Sequence, residues 1–219
     1  MTKSILSDRQ KALLSLLSSN GDIQNNFYLG GGTALAEYYL HHRYSEDLDF
    51  FSENEINPMD IQVFFKSISN KVGIKKVDLQ QSFNRNLIYL HFDNEVIKTE
   101  FTYYPFTQIE VPKIIDGLKV DSLLDIAVNK TFTIYQKPRS RDFIDLYLII
   151  KEKEWSFTDL KKKARAKFDT HIDPLQMAKQ LFEANKLEDF PRMITPLDPQ
   201  VWQDFWKQEA DELKDEALV

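Results

Sequence analysis

Leu13, Leu14, Leu16 and Leu17 recur at helical spacing and predict an amphipathic helix over 8–19, ended by Asn20-Gly21. Phe27-Tyr28-Leu29 then begins an apolar strand, and the turn Gly30-Gly31-Gly32 feeds a helix over 33–41. In the next segment Leu48 and Phe50 alternate with Asp47 and Asp49, the period of a half-buried strand over 47–51. Asn57-Pro58 opens a helix over 58–71 that gathers Ile61, Phe64, Phe65 and Ile68 on one face. Period-two alternation continues at 73–80, 86–92 and 95–103, with Asp93-Asn94 as the turn between the last two.

Beyond Asp121 the period changes to helical. Ser122 and Asp125 form a capping box, followed by Leu124, Ala127, Val128, Thr131 and Tyr135 along one side. Pro138 and Ser140 separate this helix from one whose buried stripe is Phe143, Leu146, Tyr147 and Ile150. Further helix starts stand at Thr158, Asp173-Pro174 and Asp198-Pro199. The expected architecture is α/β (α+β): a mixed-sheet core over 1–118, then a helical domain over 119–219 that closes a cleft.

Composition narrows the function classes. A hydrophobic fraction of 42% over 219 residues suffices for a core, and no cysteine is present, which excludes disulfides, thiolate nucleophiles and zinc-thiolate sites. No apolar run is long enough for a membrane span and no secretory leader is evident, so the expected location is cytoplasmic, without a membrane partner. Against 34 acidic residues stand 28 basic ones, a formal charge of −6, which disfavours a general nucleic-acid binder. Lys151, Lys153, Lys161, Lys162, Lys163, Arg165 and Lys167 nevertheless cluster, either as a solvated helix surface or as a local face for a nucleic-acid end.

The chemistry concentrates in Leu29-Gly30-Gly31-Gly32-Thr33-Ala34-Leu35-Ala36 and Arg43-Tyr44-Ser45-Glu46-Asp47-Leu48-Asp49-Phe50-Phe51. On a strand Asp47 and Asp49 project to one side while Leu48 and Phe50 seal the other. Two aligned carboxylates repel unless a proton or a cation bridges them, and magnesium favours oxygen ligands and accepts substrate phosphates as additional ones. Gly31 and Gly32 let the backbone approach a ligand, and Thr33 can open a helix whose amides favour anions. The run is neither a P-loop nor a Rossmann fingerprint, because the expected Lys and third Gly are missing.

These residues resemble the Gly-Gly-Thr-x-Leu-Ala and His-Arg-x-Ser-x-Asp-Leu-Asp-Phe-Phe signatures of the AbiEii/AbiGii toxin family, within the DNA polymerase beta-like nucleotidyltransferase superfamily. Asp125-Ile126-Ala127-Val128-Asn129-Lys130 and Arg139-Ser140-Arg141-Asp142-Phe143-Ile144-Asp145-Leu146-Tyr147 are similar to its downstream lysine helix and Arg-Asp-x-x-Asp-Leu motif, and Phe190-Pro191-Arg192-Met193 resembles it more weakly. The resemblance implies a polymerase beta-like core, transfer of a nucleotide from a nucleoside triphosphate such as ATP or GTP, and a third metal carboxylate, assigned to Glu100. Asp47, Asp49 and Glu100 would then hold two magnesium ions, with manganese as a substitute. It further implies a toxin paired with a cognate antitoxin and an RNA acceptor such as tRNA.

Gly31, Gly32 and Thr33 are the expected phosphate seat. Lys130 either offsets triphosphate charge or is a surface helix residue, and Asp142 and Asp145, neighbours at i, i+3, either serve the acceptor hydroxyl or pair with Arg139 or Arg141. Arg43 either grips phosphate or braces the acidic loop through Glu46 or Asp47. His41 and His42 have no third ligand at zinc spacing, and Trp155, Trp202, Phe205 and Trp206 fit helical packing. Rival functions are transfer to a protein or small-molecule hydroxyl, and a silent nucleotide-binding module.

Overall fold

The computed structural model describes residues 4–217. Helix α1 (Asp8–Ser18) is locked by a capping box in which the Ser7 hydroxyl accepts the Gln10 amide and the Gln10 side chain accepts the Ser7 amide. Its buried face carries Leu13, Leu14 and Leu17. A short helix α2 (Gly21–Asn26) follows where only a turn was expected, because the Asn20 side chain accepts the Ile23 amide and starts a new helical turn.

After β1 (Tyr28–Leu29), helix α3 (Gly31–Leu35) starts two residues earlier than the pattern predicts and widens into π-turns over Ala36–Leu40. Thr33 does not cap it; its hydroxyl turns inward to Ser45 and to the Asp47 carbonyl. The stretch stops at His41, whose left-handed φ of 50° ends helical propagation. Strand β2 (Leu48–Ser52) and helix α4 (Pro58–Val72) lead to Gly73, which caps α4 at φ 79° and delays β3 (Lys76–Ser82) beyond its expected start. Strands β4 (Arg85–His91) and β5 (Val96–Tyr103) follow.

Two further strands, β6 (Lys113–Ile115) and β7 (Leu118–Val120), are three residues each, too short for a periodic signal. Together the described residues form a seven-stranded mixed sheet in the order β3-β4-β5-β2-β1-β7-β6. The pairs β2/β5 and β1/β7 are parallel, and the others antiparallel. On one side Phe101 is the hub, stacked on Phe50 at 4.9 Å and met edge-on by Phe27 and Phe65.

Helices α5 (Leu123–Gln136), α6 (Ser140–Lys153), α7 (Phe157–Phe168), α8 (Pro174–Phe182) and α9 (Pro199–Ala217) complete the chain. Trp202 and Trp206 pack with Phe143 and Phe157 at their centre, and the Trp206 indole donates to the Phe143 carbonyl at 3.1 Å. The basic run is not uniformly solvated: Lys167 is buried against the fully buried Asp125 at 2.7 Å. The chain falls into two compact units, the first reaching through His41 and resuming over Ser45–Ser122, the second taking His42–Tyr44 and the chain from Leu123. None of the described helices is long and apolar enough to cross a membrane.

Candidate functional site

The parallel pairing of β2 with β5 sets Asp49 directly opposite Glu100. Paired residues on adjacent strands share a face, so Asp49 and Glu100 project together, and Asp47, two residues earlier, projects from the same side. Behind them Leu48, Phe50, Thr99 and Phe101 are buried. The alternation that Leu48 and Phe50 impose on the core therefore aims three carboxylates at one surface.

Gly31 closes against this surface. Its φ is +65°, and a Cβ built on it would lie 2.8 Å from Asp49 Oδ2, inside any real contact. The Gly30 amide donates to the Asp49 carbonyl at 2.9 Å, tying the glycine turn to the acid strand. A methyl group at Gly31 would meet both the wrong backbone region and a carboxylate. Gly31→Ala is thus expected to cost about 1–2 kcal/mol in folding through the backbone alone, together with a large loss of activity, measured by thermal unfolding beside a transfer assay. Unchanged activity would mean that the Gly31–Asp49 contact is irrelevant to the site.

Thr33 is fully buried and its hydroxyl fastens the Asp47 loop, so a ligand approaching this turn would meet backbone and not that hydroxyl. The carboxylates are engaged by cations that sequence reading did not pair with them. Lys98 donates to Asp47 Oδ2 at 2.7 Å and stands 4.0 Å from Glu100. Arg85 grips Glu100 through Nε and Nη2, both at 2.6 Å, and Thr102 donates to it at 2.8 Å. Burial pushes the Glu100 carboxyl up, but Arg85 and Thr102 outweigh it and hold it below the usual range. The clue to Arg85 lay in the Asp93-Asn94 turn, since folding the chain about it brings Arg85 opposite Thr102 and Leu87 opposite Glu100.

Three oxygen donors on one face suit a hard divalent cation in charge and chemistry, and the Gly31 cradle leaves room beside Asp49. Among the described residues no three acidic or histidine side chains converge into a ready cage. Lys98 and Arg85 share this surface, pairing with Asp47 and Glu100.

The second cluster lies in the helical unit. Asp145, with no exposed side-chain surface, accepts Arg43 Nε and Nη2 at 2.7 Å each, stands 2.7 Å from His42 Nε2 and is 2.6 Å from Lys130. Lys130 also reaches Asp142 at 3.1 Å, and Arg139 pairs with Asp142 at 3.0 Å. Burial raises the Asp145 carboxyl, yet Lys130 and Arg43 overcome it and leave it well below the usual carboxylate range; Asp142 is lowered by Lys130 and Arg139 against the same burial. Of the two alternatives for Arg43, phosphate or acidic loop, the structure presents a third: its fork is filled by Asp145, 102 residues away.

The segment that resembled the family weakly clasps this one. Arg43 bridges Met193, the Tyr44 amide donates to the Arg192 carbonyl at 2.9 Å, and the Arg192 guanidinium lies 4.0 Å over the Tyr44 ring. His42 is buried with its Nδ1 unpartnered, so its ring is held on Asp145 from one nitrogen only.

Comparison with known proteins agrees with these motifs. A family model described as the nucleotidyl transferase AbiEii toxin of a type IV toxin-antitoxin system matches residues 13–218. An uncharacterized protein of Aquifex aeolicus (strain VF5), aq_aa25, is 32% identical over 165 residues, 74% of this chain and 76% of its own. Two Helicobacter pylori crystal structures share the fold at 17% identity. One, a proposed nucleotidyltransferase, has a TM-score of 0.61 over 98% of this chain and 99% of its own; JHP933 has 0.59 over 96% and 94%.

Proposed function

The chain belongs to the AbiEii nucleotidyl transferase toxin family, and from that premise we propose that it moves a nucleotide from a nucleoside triphosphate to a hydroxyl of RNA, such as a tRNA, as the toxin partner of a cognate antitoxin. The observation that carries this reading is the register of Asp49 on Glu100, with Asp47 on the same face and Gly31 pressed against Asp49. Asp47, Asp49 and Glu100 would hold two magnesium ions, or manganese in their place, whose charge offsets that of the triphosphate and of the departing pyrophosphate.

The remaining roles fall to the chain's own groups. Backbone at Gly31 and Gly32 meets the phosphates, and Thr33 fixes the loop that presents Asp47. Arg85 holds the Glu100 carboxyl below its usual range, and Lys98 pairs with Asp47, until their charge is needed elsewhere. In the second cluster Lys130, Arg43 and Arg139 face Asp142 and Asp145, and of these cations Arg139, 46% exposed, is the one open to an incoming anion. Asp145 accepts four close contacts and has no exposed surface, which suits it to positioning Lys130 and Arg43; Asp142 is the better placed of the two to meet an acceptor, since its cation Arg139 is 46% exposed.

Incubation with magnesium, each α-labelled nucleoside triphosphate and total RNA tests the reading. The expected result is label in RNA with release of pyrophosphate. Label in protein with none in RNA would overturn the acceptor, and no transfer with any triphosphate would overturn the reaction.

A further inference from the structure

On the reading of RNA as acceptor, we infer that the β3–β4 hairpin tip and the open face of β4 form a seat for an unpaired RNA 3′ end, with Phe83 stacking on a base. The face is the one that carries the acids. Register places Leu87 opposite Glu100, Arg85 opposite Thr102 and Tyr89 opposite Lys98, so Arg85, Leu87 and Tyr89 line the same side of the sheet as Glu100. The opposite side is closed, with Asn86, Ile88 and Leu90 buried. On the acid side Leu87 and Tyr89 remain half-exposed, and β3 adds the exposed, polar Gln80 and Ser82.

Phe83 is the anomaly. It is fully exposed, meets no other ring among the described residues, and holds a φ of +53°, a region that a bulky side chain seldom adopts. Neither burial nor backbone preference explains an aromatic there, whereas a stacking partner would. Two residues on, Arg85 binds Glu100 through two of its nitrogens while its side chain stays 57% exposed. One half-exposed ring (Tyr89), apolar Leu87 and the Arg85 cation along β4, with exposed Phe83 at the hairpin tip and a carboxylate group suited to metal alongside, form the combination that tracks single-stranded nucleic acid: bases stack on rings and phosphates meet cations. A folded protein acceptor would need a broad apolar patch, and this face offers two half-buried side chains. A donor base would lie close to the glycine turn, not at a tip two residues beyond Arg85.

The test uses a 5′-fluorescein RNA 12-mer with a free 3′ hydroxyl, single-stranded or annealed to its complement, titrated with full-length protein by fluorescence anisotropy. Phe83→Asn is the informative variant, because asparagine tolerates the left-handed backbone and should raise the melting temperature. It is expected to weaken single-strand binding about five- to hundredfold while leaving triphosphate affinity unchanged, and Tyr89→Leu should weaken it in the same direction. Wild-type protein should prefer the single strand to the duplex. Unchanged RNA affinity in Phe83→Asn, or a loss of triphosphate affinity in its place, would overturn the seat. Wild-type transfer to RNA that persists undiminished in Phe83→Asn at subsaturating RNA would sink the seat alone, whereas no wild-type transfer to any RNA would sink the parent reading.

Discussion

Asp145→Ala is expected to lower the unfolding free energy by about 3–5 kcal/mol, the cost of removing one partner from a buried ion pair. The carboxylate neutralises Lys130 and Arg43 at once and orients His42, all of them buried. Truncation leaves two desolvated cations without the carboxylate that bridges them, Lys130 keeping its contact with Asp142. Asp145→Asn keeps the shape and some hydrogen bonding but not the charge, so it should fall between wild type and alanine. Urea denaturation followed by tryptophan fluorescence suits the measurement, since Trp202 and Trp206 pack on Phe143, two residues from Asp145. A loss under about 1 kcal/mol would show that the network contributes orientation without stability.

The pH dependence follows from the same contacts. Asp145, Asp142 and Glu100 all have folded-state carboxyls below their ordinary values. Such a group adds stability that is fully present above its unfolded pKa, about 4, and lost as pH falls through its folded value. Wild-type stability should therefore hold at neutral pH and decline below about pH 4, and the gap between wild type and Asp145→Ala should narrow over that acidic range. A gap that stays constant down to pH 2 would contradict an ionised Asp145 in the folded protein.

Local chemistry made much of this legible in the sequence. Asn57-Pro58, Asp173-Pro174 and Asp198-Pro199 announce helix starts because capping is decided within four residues. The common face of Asp47 and Asp49 follows from strand alternation, whereas the assignment of Glu100 rests on the family resemblance, alternation placing it on the side of β5 opposite Ile97 and Phe101. What stayed hidden depends on contacts between distant residues. Arg43 sits in an acidic neighbourhood along the chain, with Glu46 and Asp47 close by, yet its fork is filled by Asp145. Lys167 reads as one of a run of solvated cations, but Asp125 buries it. Thr33 has the right residue type for a helix cap, and only the fold around Ser45 shows that its hydroxyl is already committed. Strands β6 and β7 escape because three residues carry no measurable period.

Asp49→Asn is expected to reduce nucleotide transfer about a thousandfold, the scale on which removing one preorganised electrostatic element slows a reaction, while leaving the fold intact. Asparagine matches aspartate in shape, so the Gly31 contact and the β2–β5 register survive and the loss is one of charge. Asp49 is the acid most exposed to this argument: it is the direct neighbour of Glu100, and Gly31 has been kept small and left-handed against it. On this face three carboxylates meet the two cations Lys98 and Arg85, so the acids outnumber the cations there when no divalent ion is bound. Neutralising one should therefore hold the melting temperature steady or raise it in the absence of divalent ion, and should shrink the stabilisation that added magnesium or manganese confers on the wild type. Thermal melts with and without the ion, beside rates of pyrophosphate release, separate the outcomes. Lost activity with an unchanged ion-dependent shift would place the ion elsewhere, and retained activity would remove Asp49 from the reaction. If the enzyme acts as a toxin, induced wild-type protein should arrest growth and Asp49→Asn should not, whereas arrest by both would assign toxicity to something other than nucleotide transfer.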